Sequence, residues 1–557
     1  MRGRDLALLA LLPLCPQAAA VPAPPWMVAG TAGGASLEAL VESHAQSAQR
    51  GLDAPNPRYG LVNPAFGPGG AFSGPDGRAE MKVLILLVDF SDNVSSTPAA
   101  YFDSLGFASQ TFSLRNYYGE VSYGDVDIVT IDMPSSTGWF RAPQTYDYYV
   151  GDDYGWGPYP GNSQGLVEDL CDLADTAVDF SEYDNDSDGH VDGVNVIFAG
   201  TFDGTPQTIW PHAWSLPGEG ALHDGVYVGS YSVQNEYNDT PGDASANVIC
   251  HEFGHVLGLP DLYDYDYDAL GVGDWCLMSF GVYNGGGWSP AHLCAFSRSA
   301  LGVATPVNVT ANGIYELPPV ETTGLIYRLW TGGGIGAQYY LVENRRPVGY
   351  DAALPGHGTL IWHVDESVTT GNDRQWYPGY TSYGHYLAAI EQADGEWHLE
   401  RNMNYGDAAD PYPGASANGT FDYWSVPDSR DYGFADTQVA AEPDTSGDVI
   451  QVYLQVFGTG VGDGQGQGSQ ISIRPVSSPS SAGSAQFLLG MPESGPAGIQ
   501  VFDCTGRIVA SGYFPSIPAG ISAVSLDLGP LPNGVYLARL SGCGRSADAS
   551  LLLISGR

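Results

Sequence analysis

Basic residues are scarce in this sequence of 557 residues. Only 20 Lys and Arg accompany 63 Asp and Glu, which gives a formal net charge of −43, and Lys82 is the only lysine. A surface of this sign repels nucleic acid and anionic membranes. The composition therefore argues against nucleic-acid partners, and it suits an extracellular protein whose clustered Asp side chains bind calcium.

Long apolar runs are also missing. After the N-terminus, no stretch approaches the roughly 18 apolar residues that a transmembrane helix needs, so no membrane span is predicted. The N-terminus, MRGRDLALLALLPLCPQAAA, has two arginines, the apolar run Leu6–Leu14 and the small residues Ala18–Ala20, which is the pattern of a secretory signal over residues 1–20. Cys15 leaves a lipoprotein anchor as an alternative, although Leu14 is larger than the small residue that normally precedes a lipidated cysteine.

Cysteine pairs with metal-binding spacing are absent. The six cysteines outside the signal are Cys171, Cys250, Cys276, Cys294, Cys504 and Cys543, and none has CxxC spacing. An even number in an exported chain allows disulfides, and Cys504 with Cys543 is a candidate pair, but the connectivity stays open. No cysteine lies between Cys15 and Cys171, so the leader cannot block a metal through a thiolate.

Composition and apolar patterning divide the chain. The run Lys82–Phe90 is typical of a buried strand, and residues 164–178 form an amphipathic helical pattern. Short apolar runs with Gly, Pro and Asp turns dominate after residue 304. The predicted segments are a signal peptide (1–20), a leader or propeptide (21–79) with a helix at Ser36–Gln49, an α+β domain (80–303), a β-rich domain (304–457), a Gly-rich linker (458–470) and a small C-terminal β-sandwich (471–557).

HEFGH, residues 251–255, is the motif that indicates a catalytic metal site. On a helix, His251 and His255 lie one turn apart on the same face, so both imidazoles reach one metal ion. Glu252 lies beside that face, where it can activate a zinc-bound water and carry its proton to a leaving amine. The motif alone is a weak signal, because HExxH also arises by chance in unrelated chains.

The residues after the motif predict the third zinc ligand. The next glutamate after Glu252 is Glu316, too distant for a site that takes its third ligand from a second helix soon after the motif. The sequence continues HEFGHVLGLPD, in which Gly258 can end the helix with a positive φ and turn the chain back. This turn would bring Asp261 to the metal, as in the HExxHxxGxxH layout of metzincins with Asp in place of the last His.

A methionine-containing turn beneath the metal is the other sign of a metzincin. GDWCLMSFG places Met278 ahead of a glycine at a suitable distance after Asp261. A buried methionine in a Gly-bounded loop would look the same, so Met278 gains its meaning only together with the zinc motif. The predicted fold class is therefore an α+β metzincin-like catalytic domain, followed by a β-rich domain and a small β-sandwich.

The run ANVICHEFGHVLGLPDLYDYDYDALGVGDWCLMSFGVYNGG resembles the immune inhibitor A-like secreted metalloproteases of peptidase family M6. The likeness includes MKVLILLVDFSD and VDFSEYDNDSDGHVDGVNVIFAG upstream and YYLVENRRPVGYDAALPGHGTLIWHVDES and GDAADPYPG downstream, and it covers roughly residues 80–445. It implies a zymogen that cleaves proteins, with zinc on His251, His255 and Asp261 and with Glu252 as the base.

The C-terminal segment resembles the sorting tails of proteins exported by the type IX secretion system. The similar pieces are VFDCTGRIVASG and LPNGVYLARL, followed by ASLLLISGR. These motifs are short, and a generic immunoglobulin-like module is the alternative. The resemblance implies passage across an outer membrane through the type IX machinery, removal of the tail, or association with the cell surface.

DNDSDGHVD predicts a structural calcium loop. Asp184, Asp186, Asp188 and Asp192 occupy positions 1, 3, 5 and 9 of a calcium loop, Gly189 occupies position 6, and His190 at position 7 would offer its carbonyl oxygen. Position 12 is Asn195 where an EF-hand has Glu, so the loop is not a full EF-hand. A solvated acidic turn is the alternative.

Several other polar residues are weaker candidates. Asp264, Asp266 and Asp268 in DLYDYDYD could bind a second calcium, or could belong to an exposed loop. His212 and Glu236 could line the cleft or serve the core, and His363 in an apolar strand is expected to be a core residue.

The sequence thus predicts a secreted, monomeric zinc endopeptidase that acts on proteins or peptides. The alternative is a non-catalytic surface protein, such as an adhesin, in which metals brace a β-rich scaffold. Glu252 between two histidines argues against this alternative, because a purely structural zinc usually has four protein ligands.

Overall fold

The computed structural model of the protein describes residues 22–23, 66, 79–380, 384–444, 447–457, 472–475, 483–491, 494–503, 506–518, 520–532, 534–542 and 545–553. The predicted signal peptide, the leader helix at Ser36–Gln49, the linker at 458–470, and Cys504 and Cys543 lie outside these residues. The chain divides into two compact units, Met1–Phe457 and Gly458–Arg557.

A mixed sheet forms the centre of residues 79–301. The strands of this region are β1 (Ala79–Lys82), β2 (Leu84–Asp89), β3 (Val126–Val129), β4 (Trp139–Arg141), β5 (His190–Val191), β6 (Val194–Phe198), β7 (His212–Ser215), β8 (Ala221–His223), β9 (Val226–Val228) and β10 (Ser230–Asn235). The central sheet has the order β4-β2-β6-β10-β7, in which only the edge strand β7 runs antiparallel to its neighbour. Strands β2 and β6 are buried along their whole length, as continuous apolar runs in a parallel sheet should be.

The predicted strand at Lys82–Phe90 is confirmed with one difference. The run forms two consecutive strands in two sheets, because β1 pairs with β3 while β2 enters the central sheet. β5, β9 and β8 form a separate three-stranded sheet.

Seven helices accompany these strands among the described residues. They are α1 (Ala99–Phe107), α2 (Leu114–Val121), α3 (Pro134–Thr137), α4 (Tyr146–Val150), α5 (Ser163–Ala174), α6 (Asn247–Val256) and α7 (Ala295–Leu301), with 3-10 turns at Phe180–Tyr183, Gly273–Trp275 and Phe280–Gly287. The Asn162 side chain caps α5 by accepting the Gly165 N–H, as N-cap residues do. The helix predicted over residues 164–178 is thereby confirmed, and it ends four residues early.

The following region is rich in strands, as predicted. It contains β11 (Val307–Asn308), β12 (Gly313–Leu317), α8 (Val320–Thr323), β13 (Tyr327–Leu329), β14 (Gln338–Arg345), β15 (Gly358–Asp365), β16 (Ala388–Ile390), β17 (Ala440–Pro443) and β18 (Ile450–Gln455), with 3-10 turns at Thr331–Gly333 and Gly349–Ala353. The strands form two sheets, with the orders β11-β13-β14-β15-β16 and β12-β18-β17.

The α+β and β-rich regions share one hydrophobic core. A single cluster of buried apolar residues extends from β2 to Trp362 of β15 and to Leu399. Buried ion pairs join the two regions as well, because Arg298 of α7 donates to Glu343 of β14. Arg345, also buried, makes two hydrogen bonds of 2.6 and 2.8 Å to Asp351. A buried guanidinium needs such partners, and removing one typically costs about 3–5 kcal/mol.

The C-terminal unit consists of antiparallel strands. They are β19 (Ser472–Pro475), β20 (Gly483–Met491), β21 (Gly495–Phe502), β22 (Ile508–Ile517), β23 (Gly520–Gly529), β24 (Gly534–Gly542) and β25 (Arg545–Leu553). They form two sheets, with the orders β19-β20-β23 and β22-β21-β24-β25. Phe487, Ile499 and Leu540 are completely buried in the core of this unit.

Candidate metal centre

The motif helix α6 ends where the sequence predicts. Its last residue is Val256, and Gly258 follows with φ +95°, a conformation that favours glycine. The Leu259 N–H then returns to the Gly254 carbonyl. The chain reverses at this point and brings Asp261 back towards the histidines, so the turn predicted from Gly258 is present.

Three buried side chains converge beside α6. The His251 Nε2 atom lies 3.1 Å from Asp261 Oδ1, His255 Nε2 lies 3.4 Å from Asp261 Oδ2, and the two Nε2 atoms lie 3.3 Å apart. Four ligands held tetrahedrally at zinc–nitrogen distances of 2.0–2.1 Å are about 3.3 Å from each other. The three predicted zinc ligands therefore have the mutual spacing that a shared zinc ion requires.

Backbone carbonyl groups orient both imidazoles. The Nδ1–H group of His251 donates to the Leu277 carbonyl, and that of His255 donates to the Leu259 carbonyl, both at 2.8 Å. A carbonyl oxygen only accepts, so each neutral imidazole keeps its lone pair on Nε2, the atom that faces Asp261. Both Asp261 oxygens are buried with no hydrogen-bond donor among the described residues. When both imidazoles are neutral, all three groups present lone pairs to one point, and this donor set fits a divalent cation.

The charges of the centre are strongly coupled. Burial by itself would raise the pKa of Asp261, but His255 and His251 hold it below its usual value. Burial would lower the pKa of His255, but Asp261 and then Glu252 raise it to about 9. The pocket thus favours positive charge beside its carboxylates, which is the property that a cation site needs.

Glu252 is completely buried next to the two histidines. Its charge contributes to the raised pKa of His255, and burial, Tyr267 and Glu252 together raise the pKa of Tyr283 well above its ordinary value. The carboxyl group therefore lies within electrostatic reach of both the metal ligands and the Tyr283 phenol.

Met278 lies directly beneath α6. Its thioether sulfur is 2.7 Å from the position that a Cβ atom on Gly254 would occupy, so only glycine permits this close approach. The Leu262 N–H donates to the Met278 carbonyl at 2.7 Å, which ties the turn to the segment after Asp261. The structure thus places the predicted methionine turn against both the helix and the third ligand.

Residues of the β-rich region form hydrogen bonds to the loop that contains this turn. The sequence motifs did not predict these bonds. Arg345 donates to the Trp275 carbonyl at 3.0 Å, and the Trp275 indole N–H donates to Asp410 at 2.9 Å. The Asp274 N–H donates to the Tyr405 carbonyl at 2.7 Å. The only sequence signal was the presence of charged residues in the apolar strand run YYLVENRR.

Two leader residues lie against the same side of the molecule. The Tyr283 hydroxyl donates to the Pro22 carbonyl at 2.7 Å, and the Ala23 N–H donates to the Tyr267 hydroxyl at 3.0 Å. Ala23 is completely buried. Pro22 and Ala23, which belong to the predicted leader, therefore contact Tyr283 and Tyr267 in the segment after the motif helix.

The Asp-rich loop brings three of its predicted calcium ligands together. Carboxylate oxygens of Asp184, Asp186 and Asp192 lie within 4.8 Å of one another. The Asp188 carboxylate accepts the His190 N–H at 3.0 Å, and the calcium-ligand roles of Asp188 and His190 stay predictions. The Gly189 N–H donates to Asp184 at 3.0 Å, and φ at Gly189 is +90°, as the sharp turn of a calcium loop requires.

This loop is connected to the strands and to α6. The Asn185 side chain accepts the Lys82 N–H at 2.8 Å and donates to the Lys82 carbonyl at 3.0 Å. The Asp192 carboxylate accepts the Asn185 N–H at 2.7 Å. At the end of the loop, a Cβ on Gly193 would lie 2.3 Å from the Val256 side chain, so the loop packs directly on the last residue of the motif helix.

The weaker candidate residues make hydrogen bonds or packing contacts within the fold. His212 is buried with its Nε2 atom 2.9 Å from the Ser163 hydroxyl, and burial lowers its pKa to about 4. Glu236 accepts backbone N–H groups of Ser96, Thr97 and Gly200. His363 packs on the Tyr340 and Tyr432 rings. Carboxylates of Asp264, Asp266 and Asp268 form another close group, and burial followed by Asp266 raises the pKa of Asp264 to about 10.

The four described cysteines, Cys171, Cys250, Cys276 and Cys294, are buried thiols. Among the described helices, none has both the length and the apolar character needed to cross a bilayer.

Comparison with known proteins identifies the catalytic region. Residues 99–301 match the family model for the immune inhibitor A peptidase M6 catalytic domain. Immune inhibitor A of Bacillus thuringiensis subsp. alesti is 28% identical over 257 residues, which are 37% of this chain and 36% of that protein. Pre-pro-metalloprotease PrtV of Vibrio cholerae serotype O1 (strain M66-2) is 26% identical over 275 residues, which are 40% of this chain and 29% of that protein.

These matches confirm the resemblance to immune inhibitor A-like peptidases, and the protein has a peptidase catalytic domain followed by a β-rich region. The alignments span only 36% and 29% of the length of the two curated relatives. Among solved structures, catalytically inactive OgpA from Akkermansia muciniphila in complex with an O-glycopeptide is 9% identical with a TM-score of 0.20, over 86% of this chain and 95% of that chain. A likeness this weak does not bear on the fold. The resemblance of the C-terminal tail to sorting domains stays a prediction.

Proposed function

We propose that the protein is a secreted, zinc-dependent endopeptidase of the metzincin type that hydrolyses polypeptides. The observation that carries the proposal is the convergence of His251, His255 and Asp261 on one buried point, with Glu252 beside them. The M6 catalytic-domain match supports the same reaction class. Three protein ligands leave one position open, as a catalytic zinc site requires, whereas a structural zinc site is normally closed by four.

Each residue of the centre has a distinct role in this proposal. His251, His255 and Asp261 would hold the zinc ion, and the carbonyl groups of Leu277 and Leu259 orient the imidazoles for it. The bound zinc would polarise the scissile carbonyl and lower the pKa of the attacking water. Glu252 takes the proton from that water and delivers it to the leaving amine. Met278 supports the helix that carries the base.

An extended polypeptide has a backbone edge to bind. Strand β7 forms the edge of the central sheet, pairs only with β10 among the described strands, and lies next to α6. A sheet edge of this kind can bind an extended peptide through main-chain hydrogen bonds. This arrangement supports peptide substrates.

Latency through the leader is part of the proposal. Pro22 and Ala23 bind Tyr283 and Tyr267, and the charge of Glu252 contributes to the raised pKa of Tyr283. The leader contains no cysteine between Cys15 and Cys171, so it must block the centre without a thiolate ligand. Removal of residues 21–79 would then expose the centre.

Two further assignments complete the proposal. The loop Asp184–Asp192 binds a structural calcium ion through Asp184, Asp186 and Asp192, and so braces the contact between Gly193 and the motif helix. The C-terminal unit is a β-sandwich, formed by two antiparallel sheets over one core, that serves as a sorting tail for export through the type IX machinery.

Casein hydrolysis by the matured chain tests the proposed function. Glu252→Gln keeps the volume of the side chain and removes the base, so we expect activity to fall by about 10²–10⁴-fold while the zinc content is unchanged. Glu219→Gln, an exposed glutamate, is the matched control and should keep full activity. Chelation should abolish wild-type activity, and added zinc should restore it. Wild-type rates in Glu252→Gln, or an inert wild type that holds its zinc, would contradict the proposal.

A further inference from the structure

A second group of metal-ligating side chains lies in the β-rich region, in the segment after β16. The His398 Nδ1 atom is 3.4 Å from Asp407 Oδ2 and 3.7 Å from Asp394 Oδ2. Hydrogen bonds between nitrogen and oxygen are shorter, at about 2.7–3.2 Å. The spacing instead resembles that of the catalytic ligands, which lie 3.1 to 3.4 Å apart. The three side chains are therefore spaced like ligands of one cation.

Local hydrogen bonds hold this group open. Asp394 Oδ1 accepts the Glu396 N–H, and Asp407 Oδ1 accepts the Ala409 N–H, so each carboxylate has its other oxygen near His398. The Asn404 amide nitrogen lies 3.3 Å from His398 Nδ1, and its orientation is set because the amide oxygen accepts the Gly406 N–H. The same amide nitrogen donates to Asp407 Oδ2 at 2.7 Å. An amide donor on Nδ1 requires a lone pair there, and a cation bound by Nδ1 and Asp407 would replace Asn404 as their partner.

A buried carboxylate behind the group provides an independent indication. Asp410 is completely buried, and its Oδ1 atom has no hydrogen-bond partner among the described residues. Its Oδ2 atom accepts the Asp407 N–H at 2.9 Å, which places it next to the group. In the described part of the chain, none of the carboxylates of Asp394, Asp407 and Asp410 forms an ion pair with Lys or Arg.

We propose that Asp394, His398 and Asp407 form a second divalent-cation site, with the Asp410 carboxylate adding negative charge behind it. One imidazole combined with carboxylates suits a first-row transition ion such as zinc better than calcium, which prefers oxygen ligands alone. The ligands are half-buried, so the ion would exchange with solvent, unlike an ion at the fully buried catalytic centre. No step of the proposed hydrolysis uses this ion.

The position of the site gives the ion a structural role. The segment that contains it bonds to the loop of the methionine turn at three places: Leu270 N–H to the Leu399 carbonyl, Asp274 N–H to the Tyr405 carbonyl, and the Trp275 indole to Asp410. A cation bound by both Asp394 and Asp407 would cross-link the two ends of this segment. It would thereby stiffen the support of the turn from the β-rich side.

Zinc counting tests the site without reference to activity. In a Glu252→Gln background, which limits self-digestion, the full chain is stripped with a chelator, reloaded with zinc, and its zinc content is measured by elemental mass spectrometry. We expect His398→Gln and Asp407→Asn each to bind one equivalent less than the parent. His385→Gln is the matched control, because His385 makes an ordinary 2.9 Å hydrogen bond to Asp365 and should keep the parent content. Asp394→Asn serves as a further variant if one of the others does not fold.

The outcomes separate this site from the catalytic one. Asp261→Asn should remove one equivalent whether or not the second site exists, so failure of the proposed function and failure of this proposal give different counts. Equal zinc content in the parent, His398→Gln and Asp407→Asn would overturn the second site. A calcium titration in which Asp407→Asn loses one equivalent while His398→Gln does not would also overturn it, because the imidazole would then not be a ligand.

Discussion

The proposed zinc centre and the Asp-rich loop of this protein organise their candidate ligands in different ways. At the zinc centre, distant backbone segments fix the ligands, since the Leu277 carbonyl orients His251 across 26 residues of sequence. In the loop, the chain orients its own carboxylates, and Asp184 accepts N–H groups of Asp188 and Gly189 only four and five residues away. One centre is therefore a product of tertiary structure, whereas the other is mostly a product of local backbone geometry.

This difference determines what each centre can do. A fully buried centre built from several segments keeps its ligand geometry only while the whole fold is intact, which suits a reaction that needs fixed distances. A loop that folds its ligands locally can bind an ion without rearrangement of distant segments, which suits a structural brace. Substitutions in the two centres should accordingly have very different effects.

The largest effect is expected for Asp261→Asn. The amide removes the only negative charge among the three zinc ligands, so we expect loss of bound zinc and a loss of casein hydrolysis of at least about 10³-fold. Asp264→Asn is the matched control on the same segment. Burial and Asp266 raise the pKa of Asp264 to about 10, so this side chain is already neutral at pH 7 and its amide should keep zinc and activity. Zinc retained in Asp261→Asn would remove Asp261 from the ligand set.

An intermediate effect is expected for Gly254→Ala. The new methyl group would lie 2.7 Å from the Met278 sulfur and 3.4 Å from the Tyr118 hydroxyl, so the methionine turn must shift. We expect a several-fold loss of activity and about 1–2 kcal/mol lower stability, as for overpacking of a core. Gly119→Ala is the control within helix α2, where the methyl group would meet only the Val126 carbonyl at 3.8 Å. There the higher helix propensity of alanine should raise the melting temperature slightly. Equal effects in both variants would show that the turn does not depend on Gly254.

The smallest effect on activity is expected in the Asp-rich loop. Asp192→Asn should reduce the stabilisation by calcium, which is about 2.7 kcal/mol for a site at a hundredfold excess of ion over its Kd, and should leave the zinc content unchanged. Thermal unfolding with calcium and with a calcium-selective chelator measures the difference. Asp188→Asn should have less effect, because the structure groups Asp184, Asp186 and Asp192 without it. If Asp188→Asn instead abolishes the calcium effect, the spacing rule describes the loop better than the structure does.

The centre could be predicted from sequence wherever its geometry is local. His251, Glu252 and His255 follow from helix periodicity, and Asp261 follows from the turn at Gly258, all within eleven residues. The burial of β2 and β6 follows from their continuous apolar runs. The roles of Arg345 and Asp410 could not be predicted, because their bonds to Trp275 cross 70 and 135 residues of sequence and leave no periodic signal. The hydrogen bond between the Asp188 carboxylate and the His190 N–H is a detail of side-chain geometry that spacing alone does not reveal.

The bonds from Arg345, Tyr405 and Asp410 to the methionine-turn loop bear on how such an enzyme can be cut and recombined. The family match ends at residue 301, yet the hydrophobic core continues to Leu399. A gene fragment that ends near residue 303 would encode the whole zinc motif. It would still lack Arg345, Tyr405 and Asp410, which support the methionine-turn loop. Exchange of segments between relatives should therefore preserve function only when the crossover lies outside the shared core, so that the two regions are inherited together.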